Sequence, residues 1–166
     1  MFYGNREDQN KRIQEIIDEN RAAAQLFPEI RKVIMNFDNK VFNIKLQKAL
    51  QESTGKRIFT ESRDFGNYGG HVNIYIYGNA GRQYTIATLK REDMEDGKRI
   101  NAAKMIESAR SNREAHLKTA YNLEQSMQQI DTIKQQINDI KKLLEAVTAG
   151  LHYEIRDTYN IPSRLA

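Results

Sequence analysis

The chain contains no cysteine in its 166 residues. Disulfide staples, thiolate nucleophiles and zinc–thiolate centres are therefore excluded. No stretch approaches the roughly 18 uncharged apolar residues that a membrane-spanning helix needs. The opening MFYGNREDQNKR has no apolar core of the kind a secretory leader carries. A cytoplasmic protein with no membrane partner is the expectation. Proline occurs only as Pro28 and Pro162, and between Glu92 and Tyr159 glycine appears only as Gly97 and Gly150. A long C-terminal stretch is thus free of helix breakers.

The composition is 39 % hydrophobic and 29 % charged, with a net charge of +4. That balance suits a chain with much exposed helix surface. The charge is unevenly placed. Between Lys98 and Lys118 stand six cations (Lys98, Arg99, Lys104, Arg110, Arg113, Lys118) against Glu107 and Glu114, so this segment carries the whole net charge.

Periodicity divides the chain into helices, a meander and more helix. Arg6 to Leu26 reads as a helix with Ile13, Ile16, Ile17 and Ala24 on one stripe. Pro28 ends it and opens a second helix, in which Ile30, Val33, Ile34 and Phe37 share a face. Asp38 or Asn39 is placed to cap a third helix bearing Phe42, Leu46, Ala49 and Leu50, with Gly55 as its C′ residue. The period then falls to two. Arg57–Glu61 is a short strand. In the strand His71–Tyr77, Val72, Ile74 and Ile76 alternate with Asn73, Tyr75 and Tyr77. Gly78-Asn79-Ala80-Gly81 turns the chain into a third strand, Gln83–Leu89.

The expected fold class is α+β: a three-stranded antiparallel meander packed on N-terminal helices, followed by a long amphipathic helix or helical hairpin. Residues 1–97 form the helix–helix–meander domain of this reading. Residues 98–166 form a helical region that packs on the first part or makes a dimer seam. From Ile100 to Leu123 the apolar stripe is weak, with Ala103, Ile106, Leu117 and Ala120, and its change of register near Leu117–Leu123 predicts a bend or hairpin. Beyond it Leu123, Ile130, Ile137, Leu144 and Leu151 recur every seven residues. Ile133, Ile140 and Val147 fill the second seam position, a heptad pattern of about four repeats. Isoleucine at both positions favours three or four parallel strands. The flanking Lys134, Gln136, Lys141 and Leu143 lack the Glu/Lys pairs that fix a parallel partner. Antiparallel packing fits as well or better, so the seam is expected to close either within the chain or across a homodimer, ahead of any higher oligomer.

Catalytic signatures are sparse. His71, His116 and His152 have no metal-ligand spacing around them. Thr54-Gly55-Lys56 follows a helix, whereas a phosphate-binding loop precedes one. Glu92, Asp93, Glu95 and Asp96 could hold a divalent ion for a metal-dependent nuclease, but acids just before a helix also complement its dipole. No cofactor and no catalytic residue are implied.

What remains is binding. Lys98, Arg99, Lys104, Arg110, Arg113 and Lys118 can meet phosphates. Tyr75 and Tyr77 can stack with bases or anchor a protein interface. From Val41 to Ala109 the order helix, strand, strand, strand, helix resembles the double-stranded-RNA-binding domain, whose last helix presents lysines to phosphates; Lys98, Arg99, Ala102, Ala103 and Lys104 stand at that place here. The resemblance covers under half the chain and rests on element order, a topological analogy. The functional expectation is a non-enzymatic bacterial or phage-type regulator or inhibitor that binds nucleic acid or a nucleic-acid-handling protein through a basic helix. The alternative is an assembly protein whose heptad helix drives oligomerisation.

Overall fold

The computed structural model describes residues 6–37, 44–64, 70–94 and 99–159. Two compact units result, Met1–Glu124 and Gln125–Ala166. The elements run in the order α1 (Arg6–Gln25), α2 (Phe27–Asn36), α3 (Ile44–Thr54), β1 (Ile58–Asp64), β2 (Gly70–Tyr77), β3 (Gln83–Lys90) and α4 (Ala102–Tyr159). The architecture is α+β, with the meander in the order β1-β2-β3 and both pairings antiparallel. The proposed cap at Asp38 or Asn39, Phe42, the loop Gly66–Gly69, Lys98, Glu95, Asp96 and Pro162 lie outside the described residues, as do the side chains of His152 and Tyr153.

The joint between α1 and α2 follows from Pro28, which sits in the first turn of α2 where its missing N–H costs nothing. Leu26, between the two helices, is buried, and its carbonyl accepts the Ile30 N–H at 2.9 Å. Gly55 ends α3 with φ +67°, its N–H bonded to the Gln51 carbonyl at 2.9 Å, which is the left-handed cap that glycine permits.

The alternation in β2 is realised as core against face. Val72 and Ile74 are buried with Ile30, Ile34, Leu46, Leu50 and Ile58 in one cluster. Between Ile74 and Tyr75 the β2–β3 register slips by one residue. That bulge turns two consecutive β3 residues, Ile86 and Ala87, inward, a departure from strict alternation.

Asn101 starts α4 as its N-cap: its side-chain oxygen accepts the Lys104 N–H at 3.2 Å and its carbonyl accepts the Met105 N–H at 2.9 Å. From Ala102 to Tyr159 the chain is one helix, and 117–123 are helical throughout, so the hairpin alternative is not formed. Within the first unit α4 buries Met105, Ala109 and Ala120. It also covers the edge of β3, since Ser108 Oγ accepts the Thr88 N–H at 2.8 Å and His116 Nε2 lies 2.7 Å from the Thr85 carbonyl.

Candidate partner-binding surfaces

The basic run from Lys98 to Lys118 is contiguous in sequence and divided in space. Arg110 and Arg113, three residues apart, share a flank of α4 and set their guanidinium groups 5.8 and 5.7 Å from the Phe27 ring centroid. Lys104 stands six residues before Arg110, which places it about 120° away around the helix. There its ammonium lies 4.0 Å from the Glu107 carboxylate. Lys118 shares the side of Lys104, but about 21 Å further along the axis. Arg99 is exposed before the helix begins. Among the described cations of this run, Arg110 and Arg113 are therefore the pair that the helix brings together.

Tyr75 and Tyr77 have company that the sequence did not announce. The β1–β2 register places Phe59 opposite Tyr75. Phe59 and Tyr75 stack at 5.7 Å, while Tyr77 meets Phe59 and Tyr75 edge-on at 5.4 Å each. Arg57 sets its guanidinium 5.9 Å from the Phe59 ring. Tyr77 remains 51 % exposed.

Beside Tyr77 opens a half-enclosed cleft of about 230 Å³. Its walls are mainly apolar, from Leu26, Ile76, Tyr77 and Tyr84, and Lys56 and Arg57 border it. Both cations are exposed and follow the rigid Gly55 cap. Glu19 of α1 holds the β2–β3 turn against the cleft. Its carboxylate accepts the Asn79 N–H at 2.6 Å, Arg82 Nε at 2.8 Å and the Tyr84 hydroxyl at 3.0 Å. Burial opposes the charged carboxylate, yet the bonds from Arg82, Asn79 and Tyr84 outweigh it and hold Glu19 below the usual carboxylate range. Burial, and then the bond to Glu19, push the Tyr84 hydroxyl up. A methyl group at Gly78 would overlap this carboxylate and push it off the turn.

His116 is a structural bridge. Its Nδ1 lies 3.1 Å from Asn20 Oδ1 and its Nε2 2.7 Å from the Thr85 carbonyl. The buried Asn20 uses its amide N–H₂ to donate to the Ile16 carbonyl at 2.8 Å, which fixes its oxygen toward the ring. Among the described residues no three of His, Asp and Glu gather as metal ligands do.

The second unit offers one surface. Ile130, Ile133, Ile137, Ile140, Leu144, Val147 and Leu151 of the seam, joined by Leu143, are all between 46 and 64 % exposed. Their helix shields about half of each side chain, and no other described element of this unit covers the rest. The hydrogen bonds of Thr132, Gln135 and Thr148 run within the helix, to residues four positions away. Leu123, in the first unit, is half-buried. Comparison of the chain with protein-family models, with curated proteins and with solved structures finds no match.

Proposed function

We propose that this is a non-enzymatic, self-associating interaction protein. Its C-terminal helix joins identical copies, and its first unit carries the surface that meets a partner. The observation that supports this is the exposed heptad seam. Fully burying an isoleucine or leucine side chain is worth about 1.5–3 kcal/mol relative to exposure. A contiguous apolar stripe of this length calls for cover. A period of 3.5 residues keeps such a stripe facing a second helix of the same kind.

Charge favours parallel helices. An antiparallel pair with full overlap of the seam sets Ile137 against Ile140, and Ile130 against Val147, of a second copy. That register brings Lys134 beside Lys141 of the second copy twice along one flank, a like-charge contact. In the parallel arrangement Gln129 and Gln136 face those lysines instead. Isoleucine at both seam positions disfavours two strands, so three or four is the expected number.

A second reading, nucleic acid or a nucleic-acid-handling protein held by α4, has the exposed Arg110–Arg113 pair in its favour. The division of the remaining cations counts against it.

Light scattering of the full chain at about 100 μM, before and after Ile137→Asp with Ile140→Asp, tests the first reading. The unmodified chain should exceed the 19.3 kDa of one copy, and the double variant should return to it with its sheet spectrum intact. A monomeric unmodified chain would refute self-association. A dimer would retain the seam and overturn the strand number.

A further inference from the structure

We infer that the first unit holds single-stranded nucleic acid on the sheet face of Phe59, Tyr75 and Tyr77, with one base in the adjoining cleft and phosphates on Lys56 and Arg57. The site lies wholly within residues 1–124 and does not depend on self-association.

Three observations converge on one end of the meander. The first is the ring cluster, in which Tyr77 is half-exposed and in contact with both neighbours. The second is the cleft behind Tyr77, whose volume of about 230 Å³ admits one flat ring system. Its apolar walls suit the face of a base, and its inner acid, Glu19, is already bonded to Arg82, the Asn79 N–H and Tyr84. The third is the pair of exposed cations at the cleft, set by the α3–β1 turn. Gln51 Nε2 donates to the Ile58 carbonyl at 2.7 Å, and the Lys56 N–H donates to Thr54 Oγ1 at 3.2 Å, so the backbone beneath them is fixed.

The chemistry that recognises this arrangement has flat apolar groups repeated along an anionic chain. Unpaired bases provide the faces and the backbone provides the charge. A duplex does not fit the same surface, because its base faces are stacked inside and only edges and phosphates remain outside. Arg57 serves both needs, with its guanidinium plane near Phe59 and its charge toward the backbone. The nucleic-acid contact thereby moves from α4, where the sequence places most of the excess charge, to the sheet.

Fluorescence anisotropy of the full chain tests this with a labelled oligo-dT and oligo-U of about 12 nucleotides, the matched duplex, and free UMP as competitor. Both single strands should bind, the duplex at least about tenfold more weakly, and UMP should compete only at far higher concentration. Tyr77→Ala should weaken single-strand binding by about tenfold, the scale of one lost stack. Lys56→Ala with Arg57→Ala should reduce the slope of log affinity against log salt by about 1.4, as for two phosphates on a single strand. Arg110→Glu with Arg113→Glu should leave the affinity nearly unchanged. Tyr77 is a half-exposed side chain, so its variant keeps the fold, and an unchanged thermal melt verifies that. No single-strand binding at low salt, binding equal to that of the duplex, or loss on changing Arg110 and Arg113 but not Tyr77 would each overturn the inference. Repeating the titration on the Ile137→Asp, Ile140→Asp chain separates the two proposals, since the site should bind a single strand whether or not copies assemble.

Discussion

The two parts of α4 make an instructive pair. Its first part has an irregular apolar pattern and is built into a core: Met105 and Ala109 are fully covered, and Ser108 and His116 satisfy the edge of β3. Its later part has the most regular pattern in the chain, and every seam residue from Ile130 to Leu151 is exposed. Regularity and burial within the chain are therefore different things. An irregular stripe fits a particular, uneven neighbour, a sheet edge and α1 in this case. A strict seven-residue repeat fits a neighbour that repeats in the same way, and another copy of the helix is the simplest such neighbour.

The sharpest way to break this contrast is one substitution made on each side of it. Ile74→Ala, in the sealed core of the first unit, should cost about 2–5 kcal/mol in a urea titration followed by tyrosine signal. Ile137→Ala, measured at concentrations low enough to keep the chain monomeric, should change that titration by less than about 0.5 kcal/mol. Equal costs would mean that the seam is packed within the chain after all.

Next in size is the bridge between α4 and the rest of its unit. His116→Ala removes the ring that bridges the Asn20 side chain and the Thr85 carbonyl, an expected loss of about 1–3 kcal/mol. Hydrogen exchange should show the amides of β3 losing protection together with those of residues 105–120, while 130–150 are unaffected.

The smallest effect concerns the turn that borders the cleft. Glu19→Gln and Gly78→Ala disrupt the same clamp, so their effects should fall short of additive in a double-mutant cycle. The pH dependence has a definite sign. Because Glu19 sits below the ordinary carboxylate range in the folded protein, its contribution is present above about pH 4.3 and fades as pH falls through its folded value. The stability gap between the native chain and Glu19→Gln should accordingly narrow as pH falls below about 4.3 and be lost once pH passes the lowered folded value.

Local rules made much of the fold legible. Strict alternation marked Val72 and Ile74 as core, the Gly55 cap ended α3 where a left-handed residue was due, and Pro28 marked the joint between α1 and α2. What the sequence hid depends on register and on distance along the chain. Phe59 lies in a segment whose own pattern is ambiguous, and it joins Tyr75 and Tyr77 only through the β1–β2 pairing. His116 finds Asn20 at a separation of 96 residues and Thr85 at 31, which no local pattern encodes. The basic segment shows a different limit of sequence reading: cations close in sequence are spread around a helix by its own geometry, so a charge count along the chain does not give the shape of a patch.

The central claim, that the C-terminal seam is closed by other copies of the chain, is tested most directly by sedimentation equilibrium of the unmodified protein from about 1 to 100 μM. The mass should rise with concentration toward about three to four times the 19.3 kDa chain. A single species of 19.3 kDa across the whole range would contradict it.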